Sequence, residues 1–370
     1  MKNEKQGEYN MKFVHIADMH FDSPFSNLSD NKILGDKKRL EQRQVFKEII
    51  EYIKENKIPF LFISGDLYEN EHIRKTTIEY INNLFKEIPN TKIFISPGNH
   101  DPFTKNSYYN NYEWAENVKI YGPKIEKINL HNINIYGYGF DDFYCKNCGI
   151  ENLEIEDKGK INILIMHGSL DGGNENNRQY NPLSRKVIKE KGFDYVALGH
   201  IHKIDYNREK DQKIVYPGST ISMGFDELGQ HGMIVGDIEK DKINLDFIPL
   251  SKINFEEIEL ECTEIISQEE LIEKIKNLKL QNNKLYKIIL TGKRNFEINI
   301  YNLYNYDLDE KIIKIKNHTK INYNLEKIAN ENTLKGLFAK EMLNKIKEAN
   351  TEEELEIIDN AIEIGMEALK

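Results

Sequence analysis

Five short apolar runs recur along the first two hundred residues: "FVHIA" (13–17), "FLFIS" (60–64), "KIFIS" (92–96), "INILIM" (161–166) and "DYVAL" (194–198). Each is rich in β-branched or aromatic side chains and is followed by glycine or polar turn residues, a pattern that predicts buried strands. Between the early runs, "DKKRLEQRQVFKEIIEYIKEN" and "IRKTTIEYINNLFKEI" space their apolar residues by three and four, the stripe of an amphipathic helix. After Lys213 the pattern is strand upon strand, in "KIVYPGS", "GMIVGDIE" and "INLDFIPL". The expected architecture is a two-sheet α/β sandwich whose second sheet is mostly antiparallel.

The segment "PLSKINFEEIEL" starts a new extended stretch, so a boundary is expected at about 254. The large unit then spans 11–254, a smaller α+β capping domain 255–330, and a helical tail 331–370. The capping domain carries helix signals at 267–279 and a strand at 285–291. The tail has apolar positions at helical spacing and is acidic toward its end, with eight acids from Glu348 on. Such a helix packs on its own domain or on a partner. The first ten residues, "MKNEKQGEYN", are polar, lack the apolar centre of a signal peptide, and read as a flexible start.

Charge narrows the function classes. The chain has 370 residues, with 61 Asp and Glu against 51 Lys and Arg, a net charge of −10. That field repels nucleic acid and anionic membrane at long range, so phosphate binding must come from a local site, a metal or a partner. No apolar run reaches the length of a membrane span. Three cysteines, Cys145, Cys148 and Cys262, make no disulfide framework and fit a reducing cytoplasm.

The chemistry gathers where the strands end. "FVHIADMH" puts Asp18 and His20 at i and i+2, "FLFISGDLY" supplies Asp66, "KIFISPGNHDP" supplies Asn99 and His100, "INILIMHG" ends in His167, and "VALGHIH" ends in His200 and His202. Alternate residues of an extended segment face the same side. The carboxyl ends of neighbouring strands in an α/β sheet open on a common crevice. Any one of these motifs alone is an ordinary polar turn. All five, in order and each after a strand, supply oxygen and nitrogen donors for two divalent ions.

In these residues the chain resembles the calcineurin-like metallophosphoesterases, whose ordered signature is matched by "DMH", "GD", "GNHD", "MHG" and "GHIH". The resemblance implies the metallophosphoesterase fold and two divalent ions, most often manganese. It makes Asp18, His20 and His202 ligands of one metal, Asn99, His167 and His200 ligands of the other, and Asp66 the bridge. It makes His100 a catalytic residue that stabilises the transition state and can protonate the leaving oxygen. The flanking "HIADMHFDSPF" and "YPGSTISMGFDELGQHG", and more weakly "TLKGLFAKEML" near the end, are similar to the bacterial DNA-repair exonuclease branch. That branch includes the SbcD and Mre-type nucleases, and the likeness is greatest to YhaO-like proteins. What this implies is a DNA nuclease subunit acting on phosphodiesters, with DNA as substrate, a coiled-coil SMC-like ATPase as partner, and homodimerisation left open. Archaeal and eukaryotic relatives carry a histidine shortly after the Gly-Asp motif. This chain has Glu69 there, with His72 nearby.

Two other readings share the signature: a phosphatase or small-molecule phosphodiesterase, and a scaffold subunit that keeps the fold without the activity. "CKNC" at 145–148 is half a zinc site at best and reads as a loop with two free thiols. "NSYYNNYEW" at 106–114 is a candidate substrate contact, while His15, His72, His131, His231 and His318 read as structural.

Overall fold

The computed structural model describes residues 11–25, 32–171, 180–208, 212–240 and 242–369, so the expected flexible start at 1–10 lies outside the described residues. The chain divides into two compact units between Phe255 and Glu256. No described helix is long and apolar enough to cross a membrane.

Two sheets build the first unit. Among the described residues, the first consists of β1 (Met11–Ile16), β2 (Phe60–Ile63), β3 (Lys92–Ile95), β4 (Val118–Ile120), β10 (Gly232–Glu239) and β11 (Lys242–Pro249), in the order β11-β10-β1-β2-β3-β4. The second consists of β5 (Glu126–Leu130), β6 (Ile133–Gly137), β7 (Ile161–His167), β8 (Tyr195–Gly199) and β9 (Ile214–Val215), in sequence order. Strands β2, β3, β7 and β8 are near-continuously buried, as strands covered on both faces must be.

Period-two alternation sorts the side chains. Phe13, Phe62, Phe94 and Ile234 of the first sheet meet Ile135, Ile163, Ile165, Tyr195 and Ala197 of the second in one core layer. The opposite faces of β1, β2 and β3 bury Val14, Ile16, Leu61, Ile63, Ile93 and Ile95. Helix α1 (Lys32–Glu55) contributes Phe46 and α2 (Lys75–Lys86) contributes Phe85, whose rings lie 5.8 Å apart. A short helix, α3 (Tyr108–Asn111), follows β3. Beyond the second sheet, Leu164, Met166, Val196 and Leu198 pack with Ile188 of α4 (Arg185–Lys191).

The second sheet is mostly parallel, which corrects the expectation that it is antiparallel. Only β5 and β6 run antiparallel there, while β6, β7, β8 and β9 are parallel. The strand-upon-strand pattern after Lys213 is real, but β10 and β11 form a hairpin that joins the first sheet beside β1. An apolar run specifies burial and not polarity. The crossover through α4 makes β7 and β8 parallel, and the tight connection after Glu239 makes β10 and β11 antiparallel.

The second unit holds β12 (Asn254–Glu261), β13 (Lys284–Thr291) and β15 (Ile312–Asn317) in one sheet, and a small pair of β14 (Lys293–Arg294) with β16 (Lys320–Ile321). Helices α5 (Gln268–Lys276) and α6 (Ile300–Leu303) close its core over Ile288, Leu290 and Ile315. After α7 (Leu325–Ile328), the tail is two helices and not one, α8 (Leu334–Glu348) and α9 (Glu352–Ala368). Thr351 separates them. Its side chain accepts from the Glu354 amide while Glu354 reaches back, a capping box that restarts the helix. Met342 of α8 packs with Ile362 and Met366 of α9.

Where the two sheets of the first unit come closest, glycine is required. A Cβ on Gly199 would fall on the Ser64 carbonyl oxygen and crowd Ala17 and His167. Gly199→Ala is therefore expected to destabilise the chain by roughly 1–3 kcal/mol. Denaturant unfolding checks this, and a midpoint equal to the parent's would mean that the strand ends are not so closely set.

Candidate metal centre

The parallel strands end on one side of the seam between the sheets, and their loops bring the predicted residues together. Asp18 and His20 follow β1, Asp66 follows β2, Asn99 and His100 follow β3, His167 ends β7, and His200 and His202 follow β8. Asp18, His20, Asp66 and His200 all have positive φ, at 51°, 47°, 52° and 105°. For residues with a Cβ this is strained backbone, held only because surrounding bonds over-determine it. The amide of Asp18 donates to Gly65 O at 3.1 Å, that of His20 to Asp66 O at 2.9 Å, and that of His200 to the Asp18 carboxylate at 3.1 Å.

Asp101, the last residue of "GNHD", is fully buried and acts as a clamp. Its carboxylate accepts from the amides of Asp66 at 3.0 Å, Leu67 at 2.7 Å and Gly98 at 2.7 Å, and from the Tyr109 hydroxyl at 2.6 Å. Burial pushes Asp101 up to about 7, with the neighbouring Asp66 charge adding to it. Tyr109 is thus the residue through which "NSYYNNYEW" serves the site, by fixing the loop. Gly98 is needed because a Cβ there would meet Asp66 Oδ1.

Several donors converge. Among the described residues, Asp18, His20 and His202 form one metal-capable group, Asp18, Asp66 and His167 another, and His20, Glu69 and His100 a third. His20 Nε2 and His202 Nε2 are 3.0 Å apart. Asn99 Oδ1 lies 3.0 Å from His167 Nε2 and 3.2 Å from His200 Nδ1. Asp66 Oδ2 sits between the groups, 3.8 Å from His20 Nε2 and 3.3 Å from His167 Nε2, while its Oδ1 accepts from the His100 amide at 2.8 Å.

The protons on these rings are assigned by their outer partners. His20 Nδ1 donates to Glu69 Oε1 at 2.7 Å, His202 Nδ1 to Glu227 Oε2 at 2.9 Å, and His167 Nδ1 to Ser64 O at 2.8 Å. With those Nδ1 protons in place and the rings neutral, as a bound cation would leave them, Nε2 of His20, His167 and His202 presents a lone pair. His20 and His202 then point lone pairs at each other, and His167 points one at Asn99 Oδ1 and Asp66 Oδ2. Acceptors facing acceptors in a buried site need a cation between them. The donor set fits divalent ions.

The charge balance says the same. Burial lowers a histidine's pKa, yet His167 is raised to about 9 against that effect by the Asp66 carboxylate, and His202 to about 9 by Glu227 and Asp18. Burial would lift Asp66, but His167, His100 and His20 hold it well below the usual range. His200 is pushed down to about 3 by burial and by the charge of His167. Protons thus occupy the positions that metal ions would take.

Glu69 and Glu227 are functional residues that motif spacing does not assign. Glu69 accepts from His20 and, at 2.9 Å, from His100 Nδ1. Burial would raise it, but hydrogen bonds from His100 and His20 hold it at about 2. Glu227, in the quoted "GFDELG" stretch, also accepts from Ser219 Oγ at 2.9 Å. Their one visible signal is a carboxylate near a histidine motif. His72, the other candidate after Gly-Asp, is exposed, and its amide donates to Glu69 O at 3.0 Å. His15 and His231 are structural: His15 bridges Tyr195 and Ser64 at 2.8 Å each, and His231 contacts Ser219 at 2.8 Å. Among the described residues neither cysteine of "CKNC" joins a metal-capable group; Cys145 Sγ lies 3.1 Å from Tyr138 Oη and Cys148 Sγ 3.6 Å from Met166 Sδ.

The chain is similar to several known proteins. The family model for calcineurin-like phosphoesterase matches residues 11–204. The uncharacterized metallophosphoesterase YhaO of Bacillus subtilis is 24% identical over 264 residues, 69% of this chain and 64% of that protein, so the chain spans less than two thirds of its length. A subunit of the nuclease SbcCD from Staphylococcus epidermidis is 30% identical over 312 residues, 74% of this chain and 77% of that one. A solved structure, TT1561 of Thermus thermophilus, aligns with a TM-score of 0.38 at 10% identity, over 64% of this chain and 98% of that one.

Because His167 and His202 carry protons below about 9, a metal ion must expel them. Apparent metal affinity is expected to rise with pH between 6 and 8, by up to about tenfold per unit for each proton expelled, and to level off near 9. Manganese titration at three pH values, with proton release measured alongside, checks this. An affinity independent of pH would contradict the protonation states.

Proposed function

The chain belongs to the calcineurin-like phosphoesterase family, and on that footing we propose that it is a manganese-dependent DNA nuclease subunit cleaving phosphodiesters at ends or in single strands. The family and the paired donor groups support a metal-dependent phosphoesterase. When bound, two such ions polarise a phosphoryl oxygen and make water nucleophilic near neutral pH. Asp18, His20 and His202 would hold one ion and Asn99, His167 and His200 the other, with the Asp66 carboxylate placed to serve both. Asp18 and Asp66 supply the only formal negative charges in this set. The pair of ions therefore stays cationic and draws a phosphate anion to a chain of net charge −10. The oxygen donors Asp18, Asp66 and Asn99 suit manganese, and no thiolate in the set selects a softer ion.

His100 acts on the leaving oxygen. Its side chain is half-exposed, and Nδ1 is held by Glu69, which leaves Nε2 to donate. Its pKa is raised to about 9, against burial, by Glu69 and Asp66, so it carries the proton that a departing alkoxide needs.

The observation that carries the nuclease reading is a cleft of about 250 Å³ in which Asn99 and His100 share walls with Phe143, Tyr144 and Tyr180. The Tyr180 ring lies 5.0 Å from His200 and 5.8 Å from Tyr144. Aromatic faces beside the reacting phosphate suit an unstacked base, which a phosphomonoesterase does not require. Similarity to a nuclease subunit supports the same choice. Leu337 of α8 is 62% exposed and Ile364 of α9 is 70% exposed, which supports a helical partner, and we assign that role to a coiled-coil ATPase.

The experiment is an assay of the full chain with manganese on single-stranded DNA, duplex DNA, a base-free diester and a phosphomonoester. DNA cleavage that chelator abolishes is expected. His100→Ala should keep two metals and lose about 10²–10⁴-fold in turnover, the usual range for such a group. Turnover of the monoester alone would make the chain a phosphatase, and a metal-loaded chain without turnover would make it a scaffold.

A further inference from the structure

Helix α1 buries residues 34, 35, 38, 41, 42, 45, 46, 49, 50 and 53, one continuous stripe at helical spacing. Leu34 lies at its start and its last five are apolar, but Lys38, Glu41 and Gln42 interrupt it, with Lys38 fully buried. Polar groups on the core face of a helix are costly unless each has a partner. Their partners lie in two places of consequence.

Lys38 and Glu41 grip the exit from the first unit. Lys38 Nζ donates to Glu41 Oε2 at 2.6 Å and to Ile253 O at 3.3 Å, and lies 5.5 Å from the Phe255 ring centroid. Glu41 Oε1 accepts from the amides of Lys252 at 2.8 Å and Ile253 at 3.3 Å, and from Ser251 Oγ at 3.3 Å. Gln42, the next residue, grips the metal centre: its Nε2 donates to the carbonyls of Met19 and His20, both at 2.8 Å. A second path runs through the loop 219–227. Phe225 packs edge-on against Phe255 at 4.8 Å, and the Ser222 amide donates to Ser251 Oγ at 3.2 Å. The same loop ends in Glu227, which holds His202 Nδ1 at 2.9 Å.

We propose that Lys38, Glu41 and Gln42 are positioning residues that couple the exit segment Ser251–Phe255 to His20 and His202. Tension on that segment, which leads directly into the second unit, is thereby felt at the Asp18, His20 and His202 group. The two histidines are reached by separate routes, His20 through α1 and His202 through the 219–227 loop, and both routes start at the same five residues. The inference rests on the two-ion reading of the site and adds to it a handle outside the donor groups.

Coupling is reciprocal, so the intact chain tests it in both directions. Adding manganese should slow hydrogen exchange at the Lys252 and Ile253 amides by about fivefold or more. In the other direction, Lys38→Met with Glu41→Leu removes the grip without leaving a lone buried charge. One of the two manganese equivalents should then weaken by about 10–100-fold while the other keeps its affinity. Lys38→Met with Glu41→Gln, which retains an acceptor for the two amides, should restore it. Unchanged exchange at 252 and 253 in a chain carrying two manganese ions overturns the coupling, even where the double variant fails to fold. So does a folded Leu variant whose two equivalents titrate as in the parent or weaken together. A chain that binds no manganese overturns the two-ion reading itself.

Discussion

The site of the first unit is arranged around a point where imidazole nitrogens face one another. His20 Nε2 and His202 Nε2 stand 3.0 Å apart, each with its other nitrogen committed to a carboxylate. Left without a cation, such a pair must be protonated or driven apart, and unpaired buried polar atoms cost a few kcal/mol each. The fold resists that cost by gripping His20, His167 and His202 from behind. Ser64 does this twice over: its carbonyl holds His167, while its hydroxyl donates to Ala197 O and contacts His15, so one residue orients a donor and joins the two sheets.

The strain is located where the chemistry is. Four of the donor residues have positive φ, and the bonds that hold them there come from neighbouring loops of both sheets. Parallel strands deliver those loops to one edge, which is why β1, β2 and β3 of one sheet and β7 and β8 of the other can share a site. The antiparallel strands β10 and β11 contribute no donor. What they contribute is the position of the 219–227 loop that precedes β10, and with it Glu227.

Legibility follows the physics of each signal. The apolar runs mark β1, β2, β3, β7 and β8 to within two residues, because burial on both faces leaves a dense local trace. Strands β4, β5, β14, β15 and β16 leave none: they are short or half-exposed, as in the alternating "EKINL", and β6, "INIYG", also escapes although it is buried throughout, because Asn134 interrupts its apolar run. Sheet polarity escapes the pattern because it depends on neighbours distant in sequence. At the site, the residues named from motifs are the ones brought together, since each sits just past a strand that the pattern marks. Glu69, Glu227 and Asp101 act through hydrogen bonds across tens of positions, and nothing in the spacing announces such partners. The buried Lys38 and Glu41 are visible as polar residues on an apolar stripe, but what they hold is not.

The most direct measurement is anomalous diffraction from crystals of the chain grown with manganese. Two peaks roughly 3.5–4 Å apart are expected, one against His20 and His202, the other against Asn99, His167 and His200, with Asp66 between them. A single peak, or peaks away from these side chains, would contradict a two-ion centre built from the facing lone pairs.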